Sequence, residues 1–138
     1  MEYITSSAEE TVECGYSFGK NLPSGAIVCF FGDLAAGKTT FIKGLVGAVT
    51  GCAEESVNSP TFTYMNIYEG DGCLIYHFDL YRLGGSEEFI SKGFDEQLFS
   101  GDICCLEWSE RIVDILEDYI MVEITHSGEG KRKIEIRF

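Results

Sequence analysis

A single mixed α/β domain over residues 1–138, with helices packed on a central sheet and antiparallel hairpins added to it, is what three features predict. The apolar run Ala26-Ile27-Val28-Cys29-Phe30-Phe31 leads directly into Gly32-Asp33-Leu34-Ala35-Ala36-Gly37-Lys38-Thr39. Phe41, Ile42, Leu45, Val46 and Val49 then repeat at helical spacing, so strand, glycine loop and helix follow one another. Two further pairs of strand-forming runs, each joined by a glycine-containing turn, read as hairpins. A chain of 138 residues supports one core and not comfortably two.

Taken in order, Ser6 and Ser7 each precede a glutamate by three residues, offering two overlapping capping boxes for a helix from Ala8 to Lys20. Val12, Tyr16 and Phe18 are its expected core contacts. Leu22-Pro23-Ser24-Gly25 turns the chain into the strand that starts at Ala26. After the loop and its helix, a connector runs from Thr50 to Pro60. Thr61 to Tyr68 and Cys73 to Leu80 form the first expected hairpin, about a turn at Glu69-Gly70-Asp71-Gly72. A short helix over 86–93, capped by Ser86, and a further turn before Ser100 come next. Asp102 to Trp108 reads as a buried strand ending in an acid. Ser109 is the expected cap of a helix to about Asp118 that turns Ile112, Val113, Ile115 and Leu116 inward. Tyr119–Thr125 and Lys131–Phe138 close the chain as the second hairpin.

Composition excludes several classes. No run of 18 apolar residues exists, and the first ten residues are acidic rather than basic and apolar, so neither membrane span nor secretion signal is expected. The six cysteines lack metal spacing, and Cys29, Cys73, Cys104 and Cys105 lie inside apolar runs. Buried free thiols in a cytoplasmic protein are the expectation, with Cys104 and Cys105 on opposite faces of one strand. With 23 acidic and 10 basic residues, the net charge of −13 repels a polyanion. A broad DNA or RNA surface is therefore not expected.

The loop completes G-x-x-x-x-G-K-[ST], the phosphate-binding loop of P-loop NTPases. Its backbone N–H groups cradle phosphates, its lysine reaches the outer ones, and its hydroxyl ligates Mg2+. Asp33, Leu34, Ala35, Ala36, Gly37, Lys38, Thr39 and Thr40 are the candidate ATP-binding residues. Phosphoryl chemistry also needs a metal carboxylate and a group that orients water. Asp79 and Glu107 sit at C-terminal strand ends, where open α/β sheets present ligands. One is a candidate for Mg2+ and the other for the attacking water; simple solvation, or an ion pair of Asp79 with Arg82, is the alternative. Thr61, at the end of a switch-like connector, could close on metal or γ-phosphate, or merely begin a strand. His77 shares a strand face with Asp79, and either touches the site or is a satisfied core histidine. Arg82 is a candidate either to supply positive charge in cis or to meet a partner, and Trp108 is core or a cap over the site.

Taken together, Phe31-Gly32-Asp33-Leu34 with Gly37-Lys38-Thr39-Thr40-Phe41, Ser59-Pro60-Thr61-Phe62-Thr63, His77-Phe78-Asp79-Leu80-Tyr81-Arg82-Leu83 and Leu106-Glu107-Trp108 resemble the TsaE (YjeE) family. The resemblance covers essentially the whole chain. It implies a Mg2+-dependent ATPase, weak alone, that works with the TsaD–TsaB synthase pair in forming N6-threonylcarbamoyladenosine at position 37 of tRNA. It further implies that ATP turnover resets the complex between cycles, with tRNA met only through the complex. By the same resemblance Lys38 binds phosphates, Thr39 ligates Mg2+, Thr61 is the switch threonine, Asp79 lies near the metal, and Glu107 is the acid required for hydrolysis. Trp108 is the accompanying aromatic. Ala35 departs from the glycine usual there, which strains the loop by about 1 kcal/mol if that position needs positive φ. A small-molecule kinase and a nucleotide-dependent adaptor without required turnover are the competing functions. The first lacks an arginine-rich lid among Arg82, Arg111, Arg132 and Arg137. A GTPase is disfavoured by the absence of N-K-x-D.

Overall fold

The computed structural model describes residues 1–32, 37–60, 62–70 and 72–138, with Glu55 by its backbone alone. Among the described residues seven strands form one mixed sheet: β1 Glu2–Thr5, β2 Ile27–Gly32, β3 Met65–Gly70, β4 Cys73–Asp79, β5 Ile103–Glu107, β6 Ile120–His126 and β7 Arg132–Arg137. Their order is β1-β7-β6-β2-β5-β4-β3. The four central strands β6, β2, β5 and β4 run parallel, while the outer pairings β3–β4, β6–β7 and β1–β7 are antiparallel. This is the mixed α/β architecture expected. The hairpins extend the sheet outward, and both faces of its parallel centre are covered.

Helices α1 (Ala8–Lys20) and α2 (Lys38–Thr50) cover one face. The expected helix from Ala8 is capped by Ser7, whose Oγ accepts from Glu10 N–H at 3.1 Å. Glu10 reaches back to Ser6 N–H at 2.8 Å, so both serines serve one reciprocal cap. The inner face of α1 differs from the expected one. Phe18 is buried, but Tyr16 is exposed, and the remaining buried positions are Thr11, Gly15 and Gly19. Glycine carries the contact because the two helices meet backbone to backbone. A Cβ on Gly15 would lie 2.1 Å from Phe41 O, and one on Gly44 2.0 Å from Val12 O. An apolar-periodicity pattern cannot see an inner face made of glycine.

The short helices α3 (Ser86–Ser91) and α4 (Phe94–Leu98), with a 3-10 turn over Ser109–Ile115, cover the other face. Phe78, Phe89 and Phe94 pack there with ring centroids 5.5–5.7 Å apart. Cys104 belongs to this core and Cys105 to the one beneath α1 and α2, as strand alternation requires. Burial pushes the Cys29 thiol up to about 11 and that of Cys104 up to about 12. All six cysteines are free. No helix among the described residues is long and apolar enough to cross a membrane.

Local expectations need correction at three places, and one strand was not expected. The segment from Ser109 is a 3-10 turn interrupted at Ile112 (φ −130°, ψ 20°). Ser109 is buried and caps nothing, and Val113 faces out. Trp108 holds the cap position in the left-handed region, which changes the chain's direction before an α-helix can start. The Ser86 hydroxyl donates to Asp114, and Gly85 occupies the cap of α3. Strand β3 begins only at Met65, because Tyr64 has φ 66° and ends a turn. The edge strand β1 pairs with β7 in four register steps and has too short an apolar pattern to be read from sequence.

Candidate active site

The C-terminal edge of the parallel strands gathers the chemistry. Strand β2 ends at Gly32, β4 at Asp79 and β5 at Glu107, with β5 between the other two. The parallel register pairs Asp79 with Glu107 and Phe30 with Glu107. Cross-strand partners share a face, so both carboxylates project toward the side of α2. Both are buried, at 5 % exposure. Two acids this deeply buried are not simply solvated beyond their strands.

Gly37 caps α2 in the left-handed region (φ 108°, ψ 18°), a conformation that favours glycine. The Lys38 side chain is buried and folds back to donate from Nζ to Gly32 O at 3.3 Å. Its ammonium also lies 5.4 Å from the centre of the Trp108 ring. Thr39 and Thr40 stand in the first turn of α2, where free backbone N–H groups favour an anion. Asp33, Leu34, Ala35 and Ala36, the remaining candidate phosphate contacts, lie outside the described residues, and so does Thr61.

The acids are held differently. Asp79 Oδ1 accepts Tyr81 N–H at 3.0 Å, and Oδ2 accepts the Ser59 hydroxyl at 2.9 Å. Glu107 Oε2 lies 2.8 Å from His77 Nε2. His77 is wholly buried, and its Nδ1 is 3.3 Å from the Tyr68 hydroxyl. His77 is thus both a satisfied core histidine and a partner of the candidate acid. Burial, the largest influence, raises the Tyr68 hydroxyl above its usual value, so it keeps its proton at neutral pH.

Trp108 is half-buried with φ 62° and ψ 39°, a conformation that costs a non-glycine residue roughly 1 kcal/mol. Its ring meets Tyr81 at 4.9 Å and the Arg111 guanidinium at 5.8 Å, contacts that help hold it there. Arg82 is exposed and lies over the Phe62 ring at 4.5 Å. Three groups escaped sequence reasoning. Tyr68 and Asn58 carry no motif; only the shared strand face of Tyr68, Asn66 and His77 hints at them. Arg111 had no signal. The third is a cavity of about 120 Å3 beside Gly37 and Thr40, walled by Ser7, Thr11 and Arg132 from distant elements.

Among the described residues no three His, Cys, Asp or Glu side chains cluster as a self-sufficient metal cage. Two hard carboxylates and a phosphate-loop hydroxyl are still donors of the kind that suit Mg2+, which commonly takes one or two carboxylates and completes its shell with phosphates and water.

A family model described as threonylcarbamoyl adenosine biosynthesis protein TsaE matches residues 5–134. The tRNA threonylcarbamoyladenosine biosynthesis protein TsaE of Treponema pallidum is 36 % identical, over 99 % of both chains. Its namesake in Aquifex aeolicus is 38 % identical over 98 % of this chain and 94 % of its own. The crystal structure of Bacillus subtilis YdiB superposes with a TM-score of 0.76 at 27 % identity, covering 97 % of this chain and 82 % of that one.

Proposed function

Because the chain belongs to the TsaE family, we propose that it hydrolyses Mg-ATP at the β2–β4–β5 edge in support of a TsaD–TsaB synthase pair. Proteins of this family are weak ATP hydrolases, stimulated by partner proteins, that serve tRNA threonylcarbamoyladenosine synthesis. The observation that carries the site assignment is the arrival of Lys38, Asp79 and Glu107, all buried, at one sheet edge. Lys38 and the first turn of α2 bind the phosphates. Thr39 and Asp79 hold Mg2+, which supplies charge neutralisation when bound, with Glu107 near it. Glu107 orients the attacking water. Thr61 and the 33–36 stretch complete the loop side, and Arg82 and Trp108 border the site. The cavity walled by Ser7, Thr11 and Arg132 takes the nucleotide beyond its phosphates. Turnover resets the synthase between cycles, and tRNA is met through the complex alone.

Phosphate release from Mg-ATP, by the chain alone and with the TsaD–TsaB pair, tests this reading. Stimulation by the pair, lost in Glu107→Gln while ATP still binds, is the expected result. Lys38→Ala should weaken Mg-ATP binding by about 2 kcal/mol, the order of a lost charge-assisted hydrogen bond. Equal loss of binding in both variants would remove the role given to Glu107. Turnover unchanged by the pair would favour a kinase or an adaptor.

A further inference from the structure

The hydrogen bonds behind Glu107 form a continuous chain. An ionised carboxylate only accepts, so His77 Nε2 donates across the 2.8 Å to Oε2. In the neutral ring this leaves Nδ1 as acceptor, and the single proton of the Tyr68 hydroxyl is shared between Nδ1 at 3.3 Å and Asn58 O at 3.2 Å. The Tyr68 oxygen in turn accepts Asn58 N–H at 3.3 Å. Asn66 Nδ2 donates to Asn58 O at 2.9 Å and approaches the Tyr68 oxygen at 3.4 Å, closing the cluster around Asn58. A second route leaves the same connector one residue later, where the Ser59 hydroxyl donates to Asp79. Thus two carboxylates on neighbouring strands are tied to consecutive exposed residues, Asn58 and Ser59, of one connector, which in sequence leads to Thr61.

We propose that Tyr68 and His77 are positioning residues that orient the Glu107 carboxylate and couple it to the Asn58–Ser59–Pro60 connector, resting on the reading of Glu107 as the acid of hydrolysis. A carboxylate on a buried strand end can swing about its side-chain torsions. Fixing it beforehand removes that entropy from the barrier, because a near-attack geometry is already formed. The connector, through Asn58 and Ser59, sets both acids together.

The test is single-turnover phosphate release from Mg-ATP by the full chain, together with Mg-ATP affinity followed by Trp108 fluorescence. The variants are Tyr68→Phe, His77→Gln, His77→Asn and Glu107→Gln, each with a thermal melt. Tyr68→Phe removes one oxygen and should slow release roughly three- to tenfold, the range for one lost hydrogen bond, with unchanged ATP affinity. His77→Gln should retain more rate than His77→Asn, because only the longer amide reaches the position of Nε2. If the histidine variants do not fold, Tyr68→Phe decides alone. A wild-type rate in Tyr68→Phe, or a loss confined to ATP affinity, overturns the positioning role while a slow Glu107→Gln leaves the acid in place. A wild-type rate in Glu107→Gln instead overturns the assignment of the acid itself.

Discussion

On the face covered by α1 and α2, helix meets helix through Gly15, Gly19 and Gly44; on the opposite face, Phe78, Phe89 and Phe94 meet ring to ring. The glycine contact leaves backbone against backbone, with no side chain to move aside. The aromatic contact fills volume and can adjust through rotamers. The distinction follows the chemistry. Helix α2 starts at Lys38, so locking its axis against α1 locks the phosphate side of the site. The rings support β4 and β5 from the face opposite to that of the Asp79 and Glu107 carboxylates.

Gly44→Ala should separate the two faces most sharply. Its Cβ would meet Val12 O at 2.0 Å, so α1 must shift bodily. The expected cost is about 4 kcal/mol or failure to fold, with Mg-ATP affinity falling alongside in whatever folds. A urea midpoint near wild type would show that α1 moves freely, and the contrast would vanish. Phe89→Ala removes a wholly buried ring and should cost about 3 kcal/mol with little change in Mg-ATP affinity. Loss of nucleotide binding in that variant would mean the two faces act as one.

The smallest expected effect concerns the thiols of the sheet itself. Folding raises Cys29 to about 11 and Cys104 to about 12, against an ordinary value of 9.0. The unfolded chain therefore loses these protons first. Their contribution to stability is complete below pH 9, and falls as pH rises from there toward 11 for Cys29 and about 12 for Cys104. Melting temperatures should decline over that window, and Cys104→Ala should flatten the decline. An equal decline in the variant would assign it to other groups.

Much of the site was legible because its parts are local. A phosphate loop is a short run whose spacing is its geometry, so Gly37, Lys38 and Thr39 could be named without knowing what surrounds them. Asp79 and Glu107 were legible as polar residues closing apolar runs. Tyr68 was not, since a tyrosine in a strand is ordinary and its meaning comes from a histidine nine residues on and a glutamate on another strand. The expected helix after Trp108 failed for a related reason. Its apolar spacing was helical, but Trp108 in the left-handed region and the break at Ile112 fold the segment onto α3 as a 3-10 turn.

The strand before the motif and the helix after it, the existence of two hairpins, the cap at Ser7 and the alternation of Cys104 and Cys105 were determined by the sequence alone. Each depends on residues within a few positions of one another, where propensity and periodicity act directly. Tertiary structure decided the strand order, the backbone contact of α1 with α2, the cavity at Ser7, Thr11 and Arg132, and the tethering of both acids to one connector. Those features join residues far apart in the chain. Their energies exist only after the sheet has chosen its register, when a glycine becomes a contact surface and a buried tyrosine must find partners for its oxygen.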